Sequence, residues 1–180
     1  MARHLLLDPS YIPSVDNVIP DRLSRVRVAD DYRLNLKIFQ MITQRFGRRT
    51  CDRFASAANT LCRRYNSLHA DVGSAGTDAF LQDWTGEANW CNPQWSLLPR
   101  LTSFLAARPA VEAVVVAPDW PSALWFRPLR HLAAEEILIR RRPEMFLPGD
   151  SSLPRPLPPP KWNLRASHLR PRIPNKGTRN

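Results

Sequence analysis

A short β-branched run constrains the fold of this chain more than any other feature of its sequence. It covers residues 112–117 and has Val114, Val115 and Val116 at its centre. Consecutive apolar residues in a strand are typical of a sheet that is covered on both faces, because neither side of such a strand suits solvent. The run therefore predicts a strand that is buried on both faces.

Helical and strand-like patterns alternate along the rest of the 180-residue chain, which is the size of one domain. Apolar residues at helical spacing lead up to Phe46, and Gly47 is placed to end that helix. The predicted helices span residues 34–46, 97–105 and 123–142, and the predicted strands end near Asp52 or cover residues 88–91 and 112–117. This alternation indicates an α/β fold with crossover connections.

The C-terminal end differs in composition from the rest of the chain. Of the 18 prolines, eight lie between Pro148 and Asn180, together with seven Lys or Arg residues and one acid, Asp150. Such a segment has too little apolar surface to offset the entropy that ordering the chain would cost. We therefore predict an α/β domain over residues 31–145 and a disordered, Pro-rich basic tail over residues 146–180.

Basic residues outnumber acidic ones by 26 to 16, which gives a formal net charge of +10. An excess of this size favours binding to the phosphate backbone of DNA or RNA. The candidate nucleic-acid contacts are Arg48, Arg49, Arg63 and Arg64. The alternative is that these arginines form solvated faces without a nucleic-acid partner.

The cysteines and histidines do not form the pattern of a metal centre or of a disulfide framework. Cys51, Cys62 and Cys91 have no regular spacing, and the four histidines are scattered. An odd number of cysteines fits a reducing compartment. No apolar run has the length that a membrane span requires. These features predict an intracellular protein, cytoplasmic or nuclear, without a metal cofactor and without membrane insertion.

Four motifs between Thr50 and Pro121 carry a resemblance to a known family. They are Asp52-Arg53-Phe54-Ala55-Ser56, Asp78-Ala79-Phe80, Cys91-Asn92-Pro93-Gln94-Trp95 and Pro118-Asp119-Trp120-Pro121. Their order resembles the methyltransferase-like region of DIRS-type retrotransposon polyproteins, which is similar to the Dam-like phage adenine methyltransferases. The resemblance implies a small, incomplete Rossmann-like sheet of the methyltransferase type with flanking helices.

Residues 17–25 resemble the end of retroelement RNase H domains, in which Asp21 matches the last metal-binding carboxylate. The resemblance implies that residues 1–30 are a remnant of an RNase H domain followed by a linker. Two-metal hydrolysis needs several carboxylates to hold both ions. Because Asp21 stands without the others, we exclude nuclease activity.

The first two motifs correspond to the segments that hold S-adenosylmethionine in the Dam-like family. Matched position by position, the resemblance implies cofactor contacts from Asp52, Phe54 and Ser56. It also implies a carboxylate contact from Asp78, with Asp83 as the alternative. A carboxylate accepts hydrogen bonds from a ribose or an adenine amine, and an aromatic ring packs on the purine. The competing interpretation is that Asp52 caps a turn and Phe54 belongs to the core.

The third motif corresponds to the Asn-Pro-Pro-Tyr type sequence that acts on the target adenine. The resemblance implies that the Asn92 side chain and the Pro93 carbonyl accept the amine of a flipped base, while Trp95 stacks on that base. Gln94 replaces the second proline and frees the φ angle that proline would fix. The family's glycine-rich cofactor loop is also missing from this short span.

Three functions follow from these features and remain as alternatives. The first is a retrotransposon-derived protein with a degenerate Dam-like fold, catalytically weak or inactive, that binds nucleic acid. The second is an active S-adenosylmethionine-dependent adenine DNA methyltransferase. The third is a basic nucleic-acid-binding module without any role in methyl transfer. The altered motif at Gln94 favours the first.

Overall fold

The structure is a computed structural model that describes residues 32–148 and 160–172. The prediction that residues 1–30 are an RNase H remnant and linker lies outside the described residues. The elements in the described part are β1 (Tyr32–Leu34), α1 (Leu36–Phe46), β2 (Cys51–Asp52), β3 (Arg64–Tyr65), β4 (Ala88–Cys91), α2 (Leu98–Ala106), β5 (Glu112–Pro118), α3 (Phe126–Leu132), β6 (Glu135–Ile139), β7 (Phe146–Pro148) and β8 (Leu164–Leu169). Short 3₁₀ turns cover Ala79–Leu81 and Trp95–Leu97.

Six of these strands form one sheet in the order β3-β2-β4-β5-β8-β6. The pairs β2–β3, β2–β4 and β4–β5 are parallel, whereas β8 runs antiparallel to both of its neighbours, β5 and β6. Strands β1 and β7 form a separate antiparallel pair. The mostly parallel sheet with flanking helices confirms the predicted α/β fold class.

The β5 strand is buried on both faces, as its β-branched run predicts. Val115 packs into a core cluster with residues of α2 and α3, and Val114 and Val116 pack on the other face against α1. All three valines are at most 1% exposed. One layer of helix therefore covers each side of the sheet at this strand, which is the geometry that parallel α/β sheets require.

The first helix begins and ends at residues suited to those positions. The Asn35 side chain accepts a hydrogen bond from the Lys37 N–H at 2.9 Å, which satisfies a free donor of the first turn. Gly47 follows the helix at a φ of +86°, and its N–H donates to the Thr43 carbonyl. Only glycine adopts this φ without strain, so the chain leaves the helix here and turns into β2.

The predicted disordered tail is wrong for residues 146–148 and 160–172. Strand β8 lies between β5 and β6, and Leu164 and Ala166 are at most 1% exposed. Small and apolar side chains let the strand fit between two neighbours, while its polar residues find partners on distant elements. Residues 149–159 and 173–180 of the predicted tail lie outside the described residues.

The predicted helix over residues 123–142 is also wrong beyond Leu132. Ala133 takes an extended conformation with ψ at 133°, and the Ala134 N–H donates to the carbonyl of His168 in β8. The following residues form β6, which pairs with β8 in the register Ile137↔Ala166. Pairing to a strand far along the chain has overridden the local helical pattern.

None of the helices within the described ranges has the length and apolar character that a membrane span requires.

Candidate functional site

Two of the predicted site residues lie at the carboxyl ends of neighbouring parallel strands. Asp52 is the last residue of β2, and Asn92 directly follows β4. The two strands pair with Asp52 opposite Trp90, so Asn92 lies two residues further along the same edge. Loops from several strands converge at this edge in open α/β sheets, and ligands bind there. We call it the carboxyl edge.

The Asn92-Pro93-Gln94-Trp95 segment keeps an extended backbone and then turns. Gln94 has φ −55° and ψ 137°, and its carbonyl accepts from the Leu97 N–H at 2.9 Å. This φ lies within the range that a proline ring fixes, so the substitution at Gln94 leaves the backbone where a proline would hold it. Pro93 is buried, and the half-buried Asn92 side chain forms no hydrogen bond with any residue that the structure describes.

Three tryptophans form a cluster beside this segment. The ring centroids of Trp95 lie 5.2 Å from Trp120 and 5.0 Å from Trp162, and the latter two are 5.6 Å apart. All three pairs meet edge to face, which is a favoured geometry for aromatic rings. Trp95 remains 37% exposed. The sequence analysis missed Trp162 because it lies in the Pro-rich segment; a tryptophan there was the only signal.

The carboxylate of Asp52 is almost completely buried, with 3% of the residue exposed. Its Oδ2 accepts from the Leu61 N–H at 3.2 Å and its Oδ1 from the Phe54 N–H at 3.4 Å. Burial raises the pKa of Asp52 to about 7, although the two backbone hydrogen bonds act in the opposite direction. Asp52 therefore holds the loop after β2 in place.

Comparison with known protein families decides what this arrangement belongs to. The family model described as DNA N-6-adenine-methyltransferase (Dam) matches residues 23–155. The chain belongs to the Dam family. A search of curated proteins finds no match. Membership agrees with the mostly parallel sheet and with the position of the Asn92 segment at the end of β4.

Dam proteins generally use S-adenosylmethionine. Phe54, a predicted contact of that cofactor, instead packs against other aromatic rings. Its ring lies 5.4 Å from Phe80 and 6.1 Å from Trp84, in an aromatic group that also contains Phe104. This group belongs to the core cluster beneath α2. The backbone N–H of Ser56, the third predicted cofactor residue, donates to the Asn59 side chain at 2.7 Å.

The two alternative acids differ in position. Asp78 donates its N–H to the carbonyl of Ser67, which follows β3, so it lies toward the carboxyl edge. Its Oδ1 caps the next turn and its Oδ2 lies 3.8 Å from Arg100. Asp83 precedes β4 and accepts from the Thr85 N–H, a bond that lowers the pKa of the Asp83 carboxyl. Of the two, Asp78 is the acid that lies toward the carboxyl edge.

These residues fit S-adenosylmethionine poorly in the arrangement described. The Asp52 carboxylate is buried and accepts two backbone N–H groups, so it is not presented to a ribose. Phe54 is half-buried and packs edge-on against the core. Of the predicted carboxylates at this edge, Asp78 is the one whose side chain is partly exposed, and Arg100 partly neutralises it. Within the described ranges, no group of three His, Cys, Asp or Glu side chains is placed to hold a metal ion.

The four predicted nucleic-acid arginines lie near the amino ends of the strands. Arg49 is buried and forms an ion pair with Glu112, and Arg64 forms one with Glu87. Arg48 and Arg63 are exposed and line a cleft of about 290 Å³ beside α1. Because Arg48 precedes β2 and Arg63 precedes β3, this cleft does not share an edge with the Asn92 segment.

A buried arginine that the sequence analysis did not single out connects three strands. Arg53 donates from Nε to Asn89 Oδ1 at 2.6 Å, from Nη1 to Asn66 Oδ1 at 2.8 Å and from Nη2 to the Asp83 carbonyl at 3.0 Å. Its guanidinium also lies 5.0 Å from the centre of the Trp84 ring. These neutral oxygens and the ring face stabilise a buried cation, so Arg53 is a structural residue of this fold.

Proposed function

We propose that this chain is a degenerate member of the Dam family that binds DNA at the carboxyl edge and transfers methyl groups slowly or not at all. One observation carries the proposal: Asn92 is available at the end of β4, whereas Asp52 and Phe54 are used by the fold itself. The residue expected to receive the target base is thus available, whereas two residues expected to hold the cofactor are not.

The Asn92 segment has the groups that recognition of an extruded adenine needs. The Asn92 side-chain oxygen and the Pro93 carbonyl are acceptors that an exocyclic amine can donate to. Trp95 offers a partly exposed ring to the face of a base, and stacking of a base on an aromatic ring contributes about 1–3 kcal/mol. These groups support binding of an unstacked base whether or not methyl transfer follows.

The active enzyme remains the second candidate, and the conformation of Gln94 favours it. Its φ of −55° is compatible with proline, so the altered motif keeps a φ angle that a proline at this position would fix. In this case the acceptors at Asn92 and Pro93 would already be positioned, and weak cofactor binding would be the remaining obstacle.

We also propose a retroelement origin and an intracellular location, cytoplasmic or nuclear. The origin is supported by the order of the motifs from Asp52 to Pro121 and by the Leu-Ser-Arg sequence before residue 26. The location is supported by three cysteines that are all free in the described fold.

Transfer of labelled methyl groups to adenine-containing DNA tests the proposal, together with calorimetric titration of S-adenosylmethionine. We expect weak cofactor binding and little or no incorporation by the unmodified protein. Gln94→Pro should leave the fold intact and raise any residual incorporation, and Asn92→Ala should abolish it. Rapid incorporation that depends on Asn92, with tight cofactor binding, would instead establish the active enzyme.

A further inference from the structure

We propose that Arg140, Arg141, Arg142 and Lys161 form a phosphate-binding surface for the backbone of the nucleic acid whose base reaches Asn92. We call these four residues the basic rim. The inference rests on the proposed function and extends it, because it assigns the backbone contacts to residues that no motif pointed to. All four side chains are exposed.

The basic rim lies on the same edge of the sheet as the Asn92 segment. Strand β6 ends at Ile139, opposite Leu164 at the start of β8. The three arginines of the rim follow β6 directly, and Lys161 precedes β8 at the same edge. Asn163 holds them together: its side chain accepts from the Arg141 N–H at 2.9 Å. The Asn163 carbonyl accepts from the Asp119 N–H after β5, also at 2.9 Å.

The charges of the rim are not neutralised within the part of the chain that the structure describes. Two acids on the neighbouring strands or just after them already have other partners: Asp119 pairs with Arg165, and Glu136 pairs with Arg130 and Arg165. Glu144, the next acid along the chain, is exposed and forms no ion pair with them. Four unpaired cations held at one edge attract a polyanion more strongly than isolated surface charges do.

The distance between the rim and Asn92 matches nucleic acid. Strands β4 and β6 are separated by three strand spacings, so their ends lie about 14 Å apart. At 3.4 Å of rise per nucleotide, that is about four base steps along one strand. The tryptophan cluster of Trp95, Trp120 and Trp162 fills the interval between them. A strand of DNA could thus contact the rim and the Asn92 segment at once.

The cleft lined by Arg48 and Arg63 offers a competing surface of the same charge. It lies toward the amino ends of the strands, so a duplex held there would not present a base to Asn92. The two surfaces provide a matched comparison, because each offers two exposed arginines without an ion pair to any described residue. Arg140 and Arg142 are changed and Arg141 is left unchanged, so that each variant loses two arginines.

The experiment compares Arg140→Gln/Arg142→Gln with Arg48→Gln/Arg63→Gln in the full chain, by fluorescence anisotropy with a labelled duplex at several salt concentrations. Both variants lose two charges, and melting curves check that both fold. We expect the rim variant to bind about tenfold more weakly or worse, with a salt slope lower by about 1.8. We expect the other variant to change affinity less than about twofold.

Equal losses in both variants, or a loss only in the Arg48/Arg63 variant, would overturn the rim. So would equally tight binding of an acidic peptide, because the surface would then suit any polyanion. A duplex containing several 2-aminopurines separates the two proposals, since its fluorescence rises when a base is unstacked. Rim-dependent binding without that rise would reject base recognition at Asn92 and keep the rim. A rise that the rim substitutions do not change would keep base recognition at Asn92 and reject the rim.

Discussion

The carboxyl group of Asp52 lies in a position where a negative charge is costly. Its pKa is raised to about 7 from 3.8, so the folded protein holds a proton that the unfolded chain releases. The native state binds more protons between these two values, and the free energy of unfolding therefore falls as pH rises from about 4 to about 7. Above about pH 7, Asp52 is ionised in the folded protein as well, and the full loss in the free energy of unfolding is present.

Replacing Asp52 by Asn should remove this pH dependence. Each pKa unit corresponds to about 1.4 kcal/mol, so the expected effect is on the order of a few kcal/mol. Thermal melting of both proteins between pH 4 and pH 8 measures it. The stability of Asp52→Asn relative to the unmodified protein should increase up to about pH 7 and then level off. Parallel curves would mean that Asp52 titrates normally and that the carboxylate is accessible.

The position of Asp52 could be predicted from the sequence, and capping of a turn was one of its two predicted roles, but its burial could not be predicted. The strand before it indicated a place at the end of β2, and the structure agrees. Its burial depends on the loop that returns to place the Leu61 N–H on the carboxylate. No local pattern encodes that return. The φ angle of Gln94 could not be predicted either, because glutamine does not fix φ and the surrounding turn sets it.

At the scale of elements, β8 shows how polar residues can be part of a core. Arg165 pairs with Asp119 and Glu136, and His168 lies 3.0 Å from a carboxylate oxygen of Glu112. Each partner lies outside β8, so both side chains contact acids far away in sequence. A strand of this kind has a composition close to that of a disordered segment.

Substituting Ala166 with Asp should therefore unfold or severely destabilise the protein. Ala166 is fully buried between β5 and β6, and an unpaired carboxylate there costs more than about 4 kcal/mol. Leu138→Asp in the adjacent strand is the control, because Leu138 is 46% exposed. It should cost about 1 kcal/mol or less. Urea denaturation followed by circular dichroism gives both values, and equal values would place β8 outside the folded unit.

Strand β5 and helix α1 could be predicted because their own side chains form the pattern that is buried. Val114 and Val116 pack against the apolar residues of α1 on one face of the sheet, and Val115 packs on the other face. Strand β6 could not, since its residues continued a helical pattern from α3 and its pairing partner lies about thirty positions further along. Sequence patterns indicate which residues of an element are buried, but they do not indicate a strand that forms only by pairing with a distant strand.

At the scale of the whole molecule, the two ends of the strands offer different basic surfaces. Toward the amino ends, Glu112 contacts Arg49 and His168, and Glu87 pairs with Arg64, which leaves Arg48 and Arg63 as the exposed arginines of the cleft beside α1. At the carboxyl edge, the four cations of the basic rim have no ion pair with any described residue. Of these two surfaces, only the rim shares an edge of the sheet with Asn92.

Hydrogen–deuterium exchange with and without DNA should show which of these two surfaces binds the nucleic acid. We expect slower exchange on binding in the carboxyl-edge segments 92–95, 119–125, 140–142 and 160–163. Segments at the other ends of the strands, 48–50, 85–87 and 108–111, should exchange at unchanged rates. Protection confined to the second group would place the nucleic acid on the cleft beside α1 and away from Asn92.

The place of β8 between β5 and β6 also determines when this protein can fold during synthesis. Until residues 164–169 have left the ribosome, the edges of β5 and β6 that face each other in the finished sheet have no strand between them. Pairings between distant residues form slowly, and unpaired strand edges promote aggregation. The sheet therefore remains incomplete between β5 and β6 until β8 is made. An interruption of synthesis before β8 would leave two unpaired strand edges that promote aggregation, and one of them belongs to β5, the most hydrophobic strand of the sheet.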